Sequence, residues 1–382
     1  MSKNMTGRII EEIKGKKYKI IIEAGKNPAT GKRKRIVRRI EGRKPDAQAL
    51  LSQIIMELKQ GTYIEPKRIT VADWLNTWLN DYKKMELRPT TWESYRIQAD
   101  THLIPSIGQL NIQDLRPDHL QKLYNEKLES GLSPRSVRYI HTTIHGALKQ
   151  AVRNQLVIRN VSEATTLPKR EKSQARALTP MEQDDLLAAI QADRLGPAFI
   201  LLMATGLRRG ELLGLRWRNI DFDNKHLTVE ENLVWVNGAA VYQQPKTEKS
   251  KGQVPLIKPA LDALKAHREN MLSEGNHGKD KPVFCSKVGT PIIPRNFNRK
   301  FTELRDAAGI SKEITVHSLR HTFATRLLEK NVSMKEVQEL LRHEEMATTA
   351  DTYSHVSEKV KRTAISKLNS LFKNGTKTAP KA

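Results

Sequence analysis

Two predicted linkers divide the chain into three parts, and the second of them is polar and has no amphipathic period. The first covers residues 61–68, and the second is SEATTLPKREKSQARAL, which contains Pro168. Because a single hydrophobic core seldom serves a chain of 382 residues, we expect separate cores on either side of these linkers. The predicted domains are 1–64, 69–160 and 175–372, followed by a flexible tail at 373–382.

The first predicted domain combines a small, basic β-sheet with one helix. KKYKIIIEAG and KRKRIVRRIEG are rich in β-branched residues and flank the turn-forming stretch GKNPATG. PDAQALLSQIIMELKQG has helical spacing and ends at Gly61, a typical helix stop. A basic sheet can lie in a groove of DNA, although a solvated hairpin is the alternative. The predicted DNA-binding residues are Arg33, Arg35, Arg38 and Arg39.

The second and third predicted domains are mainly helical. ITVADWLNTWLNDYKK places Trp74 and Trp78 four residues apart behind Thr70, a predicted helix cap, which favours core tryptophans over base-stacking ones. TPMEQDDLLAAIQA and GPAFILLMATG predict helices of the third domain. HLTVEENLVW and AAVYQQPKTEKSKGQVPLI predict strands of one small antiparallel sheet. The predicted fold is therefore multidomain and mainly α, with small β-sheets.

Net charge restricts the class of partner. The chain has 66 Lys and Arg against 42 Asp and Glu, a net charge of +24, which favours nucleic acid as partner and an anionic membrane surface second. No apolar run reaches the roughly 18 residues of a membrane span, and the N-terminal segment lacks the apolar core of a signal peptide. The single cysteine, Cys285, excludes an internal disulfide and is typical of a reducing compartment. We expect a protein of the cytoplasm that binds nucleic acid and has no membrane partner.

Cationic and imidazole side chains recur near the ends of predicted elements in the third domain. ATGLRRGELLGLRW places Glu211 three residues after Arg208, where its carboxylate can hold that arginine or cap the helix start. HSLRHTFATRLL places His317 and Arg320 on one helix face. His321 lies four residues after His317, but a zinc site is disfavoured because no third ligand is evident. The remaining candidates are Lys246 in a predicted hairpin, His343 and Tyr353.

Four motifs, in this order, resemble the tyrosine recombinase family, in particular its phage and integrative-element integrases. They are ATGLRRGELLGLRW, QPKTEKSKGQVPL, HSLRHTFAT and LLRHEEMATTADTYSH. The resemblance covers most of the chain. It implies a basic arm-binding domain, a helical core-binding domain and a mixed α+β catalytic domain. It also implies an enzyme, a site-specific DNA recombinase that cuts and rejoins DNA through a 3′-phosphotyrosyl intermediate.

The resemblance assigns a role to each candidate residue. The implied catalytic residues are Arg208, Lys246, His317, Arg320, His343 and Tyr353, with Tyr353 as the nucleophile. The two arginines match the pair that clamps the scissile phosphate, and the lysine matches a hairpin lysine of the family. Arg342 departs from the pattern, since glycine is common before the second histidine. Either the turn differs there or Arg342 adds a phosphate contact.

The same resemblance implies partners and leaves two rival functions open. It implies double-stranded DNA attachment sites and a homotetramer on DNA, with accessory DNA-bending or excision factors as further candidates. It implies no cofactor and no metal ion. A type IB topoisomerase shares the nucleophile chemistry but reseals the same strand, and the basic N-terminal sheet favours the integrase. A DNA-binding regulator without catalysis would be favoured by loss of the tyrosine or an arginine, and all are present.

Overall fold

The computed structural model of the chain consists of two compact units. The units are Met1–Glu171 and Lys172–Ala382. The structure describes residues 6–26, 33–61, 63–66, 68–170, 176–244 and 252–342. Within these ranges, no helix combines the length and the apolar character that a membrane crossing requires.

The first unit begins with the predicted basic sheet and helix. The elements are β1 (Gly7–Ile13), β2 (Lys17–Lys26), β3 (Arg33–Glu41) and α1 (Lys44–Gln60). The strands pair antiparallel in the order β1-β2-β3. Gly61 ends the helix in the left-handed conformation, with φ of 71°, as its sequence position predicted. The core between sheet and helix is formed by Tyr18, Ile20, Ile22, Ile36, Ala47 and Ile54.

The remainder of the first unit is helical, as predicted. Its helices are α2 (Val71–Thr77), α3 (Pro89–Gln98), α4 (Ile104–Ile107), α5 (Pro117–Glu129) and α6 (Pro134–Arg153). The π-helical segments Trp78–Lys83 and Ala99–Leu103 continue α2 and α3, and 3-10 turns lie at Ile112–Asp114 and Val161–Ala164. Thr70 caps α2, because its hydroxyl accepts the amide N–H of Asp73 at 3.0 Å.

Trp74 and Trp78 are core residues of this helical part, as predicted. Their exposed fractions are 4% and 1%. The indole Nε1 of Trp74 donates to the carbonyl of Ala147 in α6 at 2.8 Å. Gly146 permits the close approach of α6, since an added Cβ would lie 3.0 Å from the ring of Trp78. Both tryptophans therefore serve packing and do not present a face to a base.

The second unit mixes helices with short strands. Its helices are α7 (Pro180–Ile190), α8 (Gly196–Thr205), α9 (Arg209–Gly214), α10 (Lys258–Ser273), α11 (Pro294–Ala307), α12 (Val316–Glu329) and α13 (Met334–Leu341), with a 3-10 turn at Trp217–Asn219. Its strands are β4 (Ile220–Asp221), β5 (His226–Val229), β6 (Asn232–Val236), β7 (Ala239–Gln243) and β8 (Gly252–Pro255). Helix α8 packs against α10 and α12, and α12 packs against α13.

The described strands of this unit form two sheets, so the prediction of a single sheet was wrong. Strands β4, β5 and β8 form one antiparallel sheet, and β6 pairs with β7 in a separate hairpin. Strand β6 instead packs against α9. Gly210 and Gly214 of α9 allow this approach, because an added Cβ would lie 2.0 Å from the Asn232 side chain and 2.8 Å from the Glu231 carbonyl, respectively. An alternating pattern identifies a strand, but not its partner.

Candidate active site

Two helix ends meet at the side chain of Arg320. This arginine lies in α12 and is only 3% exposed. Its guanidinium donates to the carbonyl of Gly206, which follows α8, and to the carbonyl of Leu341, the last residue of α13. Carbonyls at helix C-termini have no partner within the helix, and the helix dipole favours a cation there. Arg320 is thereby held between the ends of two helices.

The position of Arg208 is fixed by α9, which begins at the next residue. It is the N-terminal cap of α9, and Glu211 accepts its backbone N–H at 2.9 Å and its guanidinium at 2.7 Å. The side chain of Arg208 is 40% exposed, whereas that of Glu211 is 4% exposed. The sequence predicted that Glu211 either holds Arg208 or caps its helix. In the structure Glu211 does both, and it leaves Arg208 accessible to a ligand.

A second cation reaches Glu211 from the end of α13. The guanidinium of Arg342 donates to Oε2 of Glu211 at 2.7 Å, and the Arg342 side chain is 5% exposed. Arg342 has φ of 55° and ψ of 44°, the left-handed conformation that suits a glycine at a helix end. A left-handed turn is thus formed without glycine, and the guanidinium faces Glu211, which neither sequence-based alternative anticipated.

Glu211 is ionised at neutral pH in spite of its burial. Burial by itself would raise the pKa of this carboxyl, but the charges of Arg342 and Arg208 outweigh that effect, so that its pKa lies below the ordinary value. The site therefore contains one buried carboxylate shared by two guanidinium groups.

His317 belongs to the same cluster. It lies three residues before Arg320 on α12, and its side chain is exposed. The pKa of His317 is lowered, mainly by partial desolvation and to a smaller extent by the positive charges of Arg320 and Arg208. The ring of His321 meets the ring of His317 edge to face, with centroids 4.6 Å apart. His317 is consequently a neutral imidazole at neutral pH, and one of its nitrogens can accept a proton.

The described part of the chain thus brings together half of the predicted catalytic residues, namely Arg208, His317 and Arg320. The remaining candidates, which lie outside the described residues, are Lys246, His343 and Tyr353. Their roles stay predictions.

The predicted DNA-binding arginines of β3 divide between the two faces of the N-terminal sheet. Arg35 and Arg39 lie on the exposed face, where Arg35 pairs with Glu23 of the adjacent strand β2 and Arg39 pairs with Glu12 of β1, two strands away. Arg38 points to the helix-covered face, where its guanidinium lies 5.8 Å from the ring centre of Tyr63 and hydrogen-bonds to its hydroxyl. The side chain of Arg33 lies outside the described part. Alternation along the strand explains the division.

Both the helical part and the second unit match known family models. The model of the phage integrase family matches residues 176–359, and that of the SAM-like N-terminal domain of phage integrases matches residues 70–128. The chain belongs to the phage integrase family of tyrosine recombinases. All six predicted catalytic residues of the recombinase fall within the first match.

Curated relatives cover nearly all of the recombinase. It is 28% identical over 353 residues to a tyrosine recombinase XerC-like protein of Caldanaerobacter subterraneus subsp. tengcongensis, with 86% of this chain and 90% of the relative covered. It is 23% identical over 370 residues to the ICEBs1 integrase of Bacillus subtilis, with 95% and 100% covered.

Solved structures share the fold of the recombinase. The Tn1549 transposon integrase in complex with transposon right end DNA superposes with a TM-score of 0.68 at 20% identity, covering 79% of this chain and all of that one. A lambda integrase tetramer bound to a Holliday junction has a TM-score of 0.61 at 22% identity, covering 91% and 94%. The predicted mainly helical fold with small sheets is confirmed.

Sequence reasoning missed how the arginines of the recombinase are held. The carboxylate of Glu211 is shared with Arg342, which lies 131 residues away, and no local pattern indicates that contact. The carbonyl of Gly206 binds Arg320, whereas the sequence showed only a glycine shortly before Arg208. A charged residue directly before His343, where glycine is common in the family, was the one available signal.

The conformation of Gly206 leads to a mutational prediction. It has φ of +62°, and an added Cβ would lie 2.6 Å from Cδ1 of Phe323. We expect Gly206→Ala to lower the free energy of unfolding by about 2–4 kcal/mol, because left-handed strain adds to overpacking. Gly309→Ala is the matched control, with φ of +67° and no atom within 4 Å of the added Cβ. It should cost only about 1–2 kcal/mol in urea unfolding from left-handed strain alone, and equal losses would contradict the packing argument.

Low pH should reduce the free energy of unfolding of the recombinase, because His321 is buried as a neutral imidazole. Its side chain is buried, and its pKa is lowered from 6.5 to about 4, mainly by burial. The unfolded chain takes up this proton near pH 6.5, so the stabilisation is complete above that pH and is lost as the pH falls toward 4. The unfolding free energy of both proteins is compared at pH 7 and at pH 4.5. The drop between these pH values should be roughly 2–3 kcal/mol smaller in His321→Gln than in the wild type. Identical pH profiles in urea unfolding would contradict a neutral buried imidazole.

Proposed function

We propose that this recombinase is an integrase that inserts or excises a phage or mobile genetic element at specific DNA attachment sites. The observation that carries the proposal is the convergence of Arg208, Arg320 and His317 at the ends of four helices. Two guanidinium groups suit the nonbridging oxygens of one phosphodiester. Phosphoryl transfer depends mainly on positioning and on electrostatic stabilisation of the transition state, which such a pair supplies.

In the proposed cleavage step, the phenol oxygen of Tyr353 attacks the scissile phosphorus while the bond from phosphorus to the 5′ oxygen breaks. His317 takes the phenol proton, and Lys246 donates a proton to the departing 5′ oxygen. Because a phenol has a pKa of about 10, the arginines must favour the phenolate by their positive charge. The products are a 3′-phosphotyrosyl bond and a free 5′ hydroxyl.

Rejoining reverses these steps on a different strand. A 5′ hydroxyl from the partner duplex attacks the phosphotyrosyl bond, whose free energy is close to that of the phosphodiester it replaced, and Tyr353 leaves. Arg208 and Arg320 again bind the nonbridging oxygens, and His343 hydrogen-bonds to the phosphate. No nucleotide cofactor enters the cycle, since no net bond is hydrolysed.

The proposed assembly is a homotetramer on two double-stranded attachment sites, with one active site for each strand that is cut. The tetramer that lambda integrase forms on a Holliday junction supports this proposal. Residues 1–64 would bind arm-type sites, 69–160 would bind the core site, and 175–372 would carry out catalysis. Accessory DNA-bending or excision factors are further proposed partners. The reaction would take place in the cytoplasm of a bacterial host.

The proposal is tested with nicked suicide duplexes that carry the sequence this protein selects from a random duplex pool. The nick lets the cleaved end diffuse away, so the covalent protein–DNA adduct should accumulate, and protease digestion should leave a phosphotyrosyl peptide at the 3′ end. We expect the adduct to persist in EDTA, because arginines supply the positive charge. Absence of any adduct, or its loss in EDTA, would refute the mechanism.

Strand exchange separates the proposed integrase from a topoisomerase. Two intact duplexes with the selected site, one of them labelled, should yield recombinant joints of hybrid length. Relaxation of supercoiled plasmid without such joints would favour the type IB topoisomerase reaction. Sequence-specific binding with neither product would favour a regulator.

The exposed face of the N-terminal sheet predicts a change in salt dependence. The double variant Arg35→Gln/Arg39→Gln should make the negative slope of log K for DNA binding against log salt concentration shallower by about 1–2. Each phosphate contact contributes roughly 0.9 to the magnitude of that slope. Arg38→Gln is the matched control, since that guanidinium contacts Tyr63. It should leave the slope unchanged and destabilise the sheet domain. Equal slopes in all three proteins, measured by fluorescence anisotropy, would contradict DNA binding by this face.

A further inference from the structure

Arg342 adopts a backbone conformation that carries a cost for any residue with a Cβ. Its φ of 55° and ψ of 44° lie in the left-handed region, and its backbone N–H reaches the carbonyls of Gln338 and Glu339 to close α13. Glycine would make the same turn without strain. The turn alone therefore gives no reason for an arginine at this position.

The side chain of Arg342 supplies the reason. Its NH2 nitrogen donates to Oε2 of Glu211 at 2.7 Å, in an ion pair whose side chains are only 5% and 4% exposed. Its Nε is buried and has no hydrogen-bond partner among the described residues. A guanidinium this deeply buried is costly unless it is paired, so the contact with Glu211 determines where Arg342 points.

Glu211 connects Arg342 to Arg208, because its carboxylate binds both arginines. Its Oε1 accepts the Arg208 guanidinium at 2.7 Å, and its Oε2 accepts both the Arg208 backbone N–H and Arg342. On the other side, the carbonyl of Leu341, in the peptide that joins it to Arg342, accepts the guanidinium of Arg320. The end of α13 is thus connected to both arginines. It is connected to Arg208 through the Arg342 side chain and Glu211, and to Arg320 through the backbone carbonyl of Leu341.

We infer that Arg342 is a positioning residue, which orients the Arg208 guanidinium for the scissile phosphate by anchoring the carboxylate of Glu211. Arg342 does not itself touch DNA in this role. Without it, Glu211 loses its buried anchor, and the exposed guanidinium of Arg208 loses its fixed direction. The inference rests on the proposed function, because it concerns how the phosphate clamp is set.

The test compares single-turnover cleavage of a suicide duplex by wild type, Arg342→Met and Arg342→Lys. Methionine removes the charge while retaining a long side chain and the left-handed turn, and lysine keeps the charge without the planar fork. We expect the cleavage rate constant at saturating protein to fall roughly tenfold in Arg342→Met and to recover in part in Arg342→Lys, with less than about threefold change in DNA affinity. A rate within about twofold of wild type in Arg342→Met would overturn the inference.

A double-mutant cycle identifies the route of the effect. If Arg342 acts through Glu211, then Arg342→Met should have little further effect in a Glu211→Gln background, about threefold or less. Equal effects in both backgrounds would mean that Arg342 does not act through this carboxylate. Should Arg342→Met fail to fold, the same cycle is run with Arg342→Lys, whose partial loss must likewise shrink in the Glu211→Gln background.

A modified phosphate distinguishes positioning from a general loss of structure. A scissile methylphosphonate replaces one nonbridging oxygen with a methyl group, so one stereoisomer no longer offers the oxygen that Arg208 binds. On that stereoisomer the rate difference between wild type and Arg342→Met should shrink to about threefold or less, whereas a merely unstable protein would be impaired equally on both substrates. If the wild type forms no adduct on any substrate, the proposed function fails. If the wild type is active and the variants match it, only this inference fails.

Discussion

Replacing Tyr353 with phenylalanine is expected to abolish the covalent protein–DNA adduct and all recombinant product. The change removes a single oxygen atom, the one that would attack phosphorus, and leaves the ring. No other step forms a covalent bond between protein and DNA. The rate of adduct formation should therefore fall by more than about 10⁴-fold, which is the largest reduction that the assay can detect. DNA affinity should stay within about twofold, since binding depends mainly on contacts with many phosphates.

The matched control is Tyr82→Phe. Tyr82 is 37% exposed, and its hydroxyl accepts a hydrogen bond from Asn154 at 2.7 Å within the first unit. Its loss should cost about 1 kcal/mol of stability and leave adduct formation intact. A phosphotyrosyl peptide recovered from Tyr353→Phe would assign the nucleophile to another tyrosine and refute the assignment made from the sequence.

Replacing Arg320 is expected to damage both chemistry and stability. Arg320→Ala leaves the buried carbonyls of Gly206 and Leu341 without their donor, which should cost about 2–5 kcal/mol of unfolding free energy. It also removes one guanidinium from the phosphate, for which we expect a loss of about 10³-fold in cleavage rate. Arg320→Lys keeps the charge, but one ammonium cannot replace a planar fork that spans two helix ends. We expect it to regain part of the stability and to cleave at least about 10²-fold more slowly than wild type.

Arg326→Lys provides the control on the same helix. Arg326 also donates to a backbone carbonyl, that of Leu178, at 2.7 Å, but it is not among the predicted catalytic residues. Urea unfolding should show a small loss of stability, and the cleavage rate of the bound protein should equal that of wild type. Wild-type cleavage by Arg320→Lys at saturating protein would contradict a role for Arg320 in binding the phosphate.

Much of the fold followed from local patterns, because they describe neighbours in sequence. Helical spacing and caps identified the helix that ends at Gly61 and the start of α2 at Thr70, where a side chain and an amide three residues apart make the contact. The pairing of β6 with β7 in a separate sheet did not follow, since it depends on how closely α9 approaches. Likewise, the sequence grouped Arg38 with its neighbours, and only the faces of the folded sheet separated it from them.

The sequence by itself determined the family and the residue types of the chemistry. Its motifs carry arginines, histidines, a lysine and a tyrosine in a fixed order, and each motif is short enough to be read along the chain. Only the tertiary structure decided how the described arginines are held. The contact between Glu211 and Arg342 spans 131 residues, and that between Arg320 and Gly206 spans 114. Such contacts arise from the packing of helix ends, which no pattern of a few residues encodes, and this is why Arg342 acquired a role only in the folded protein.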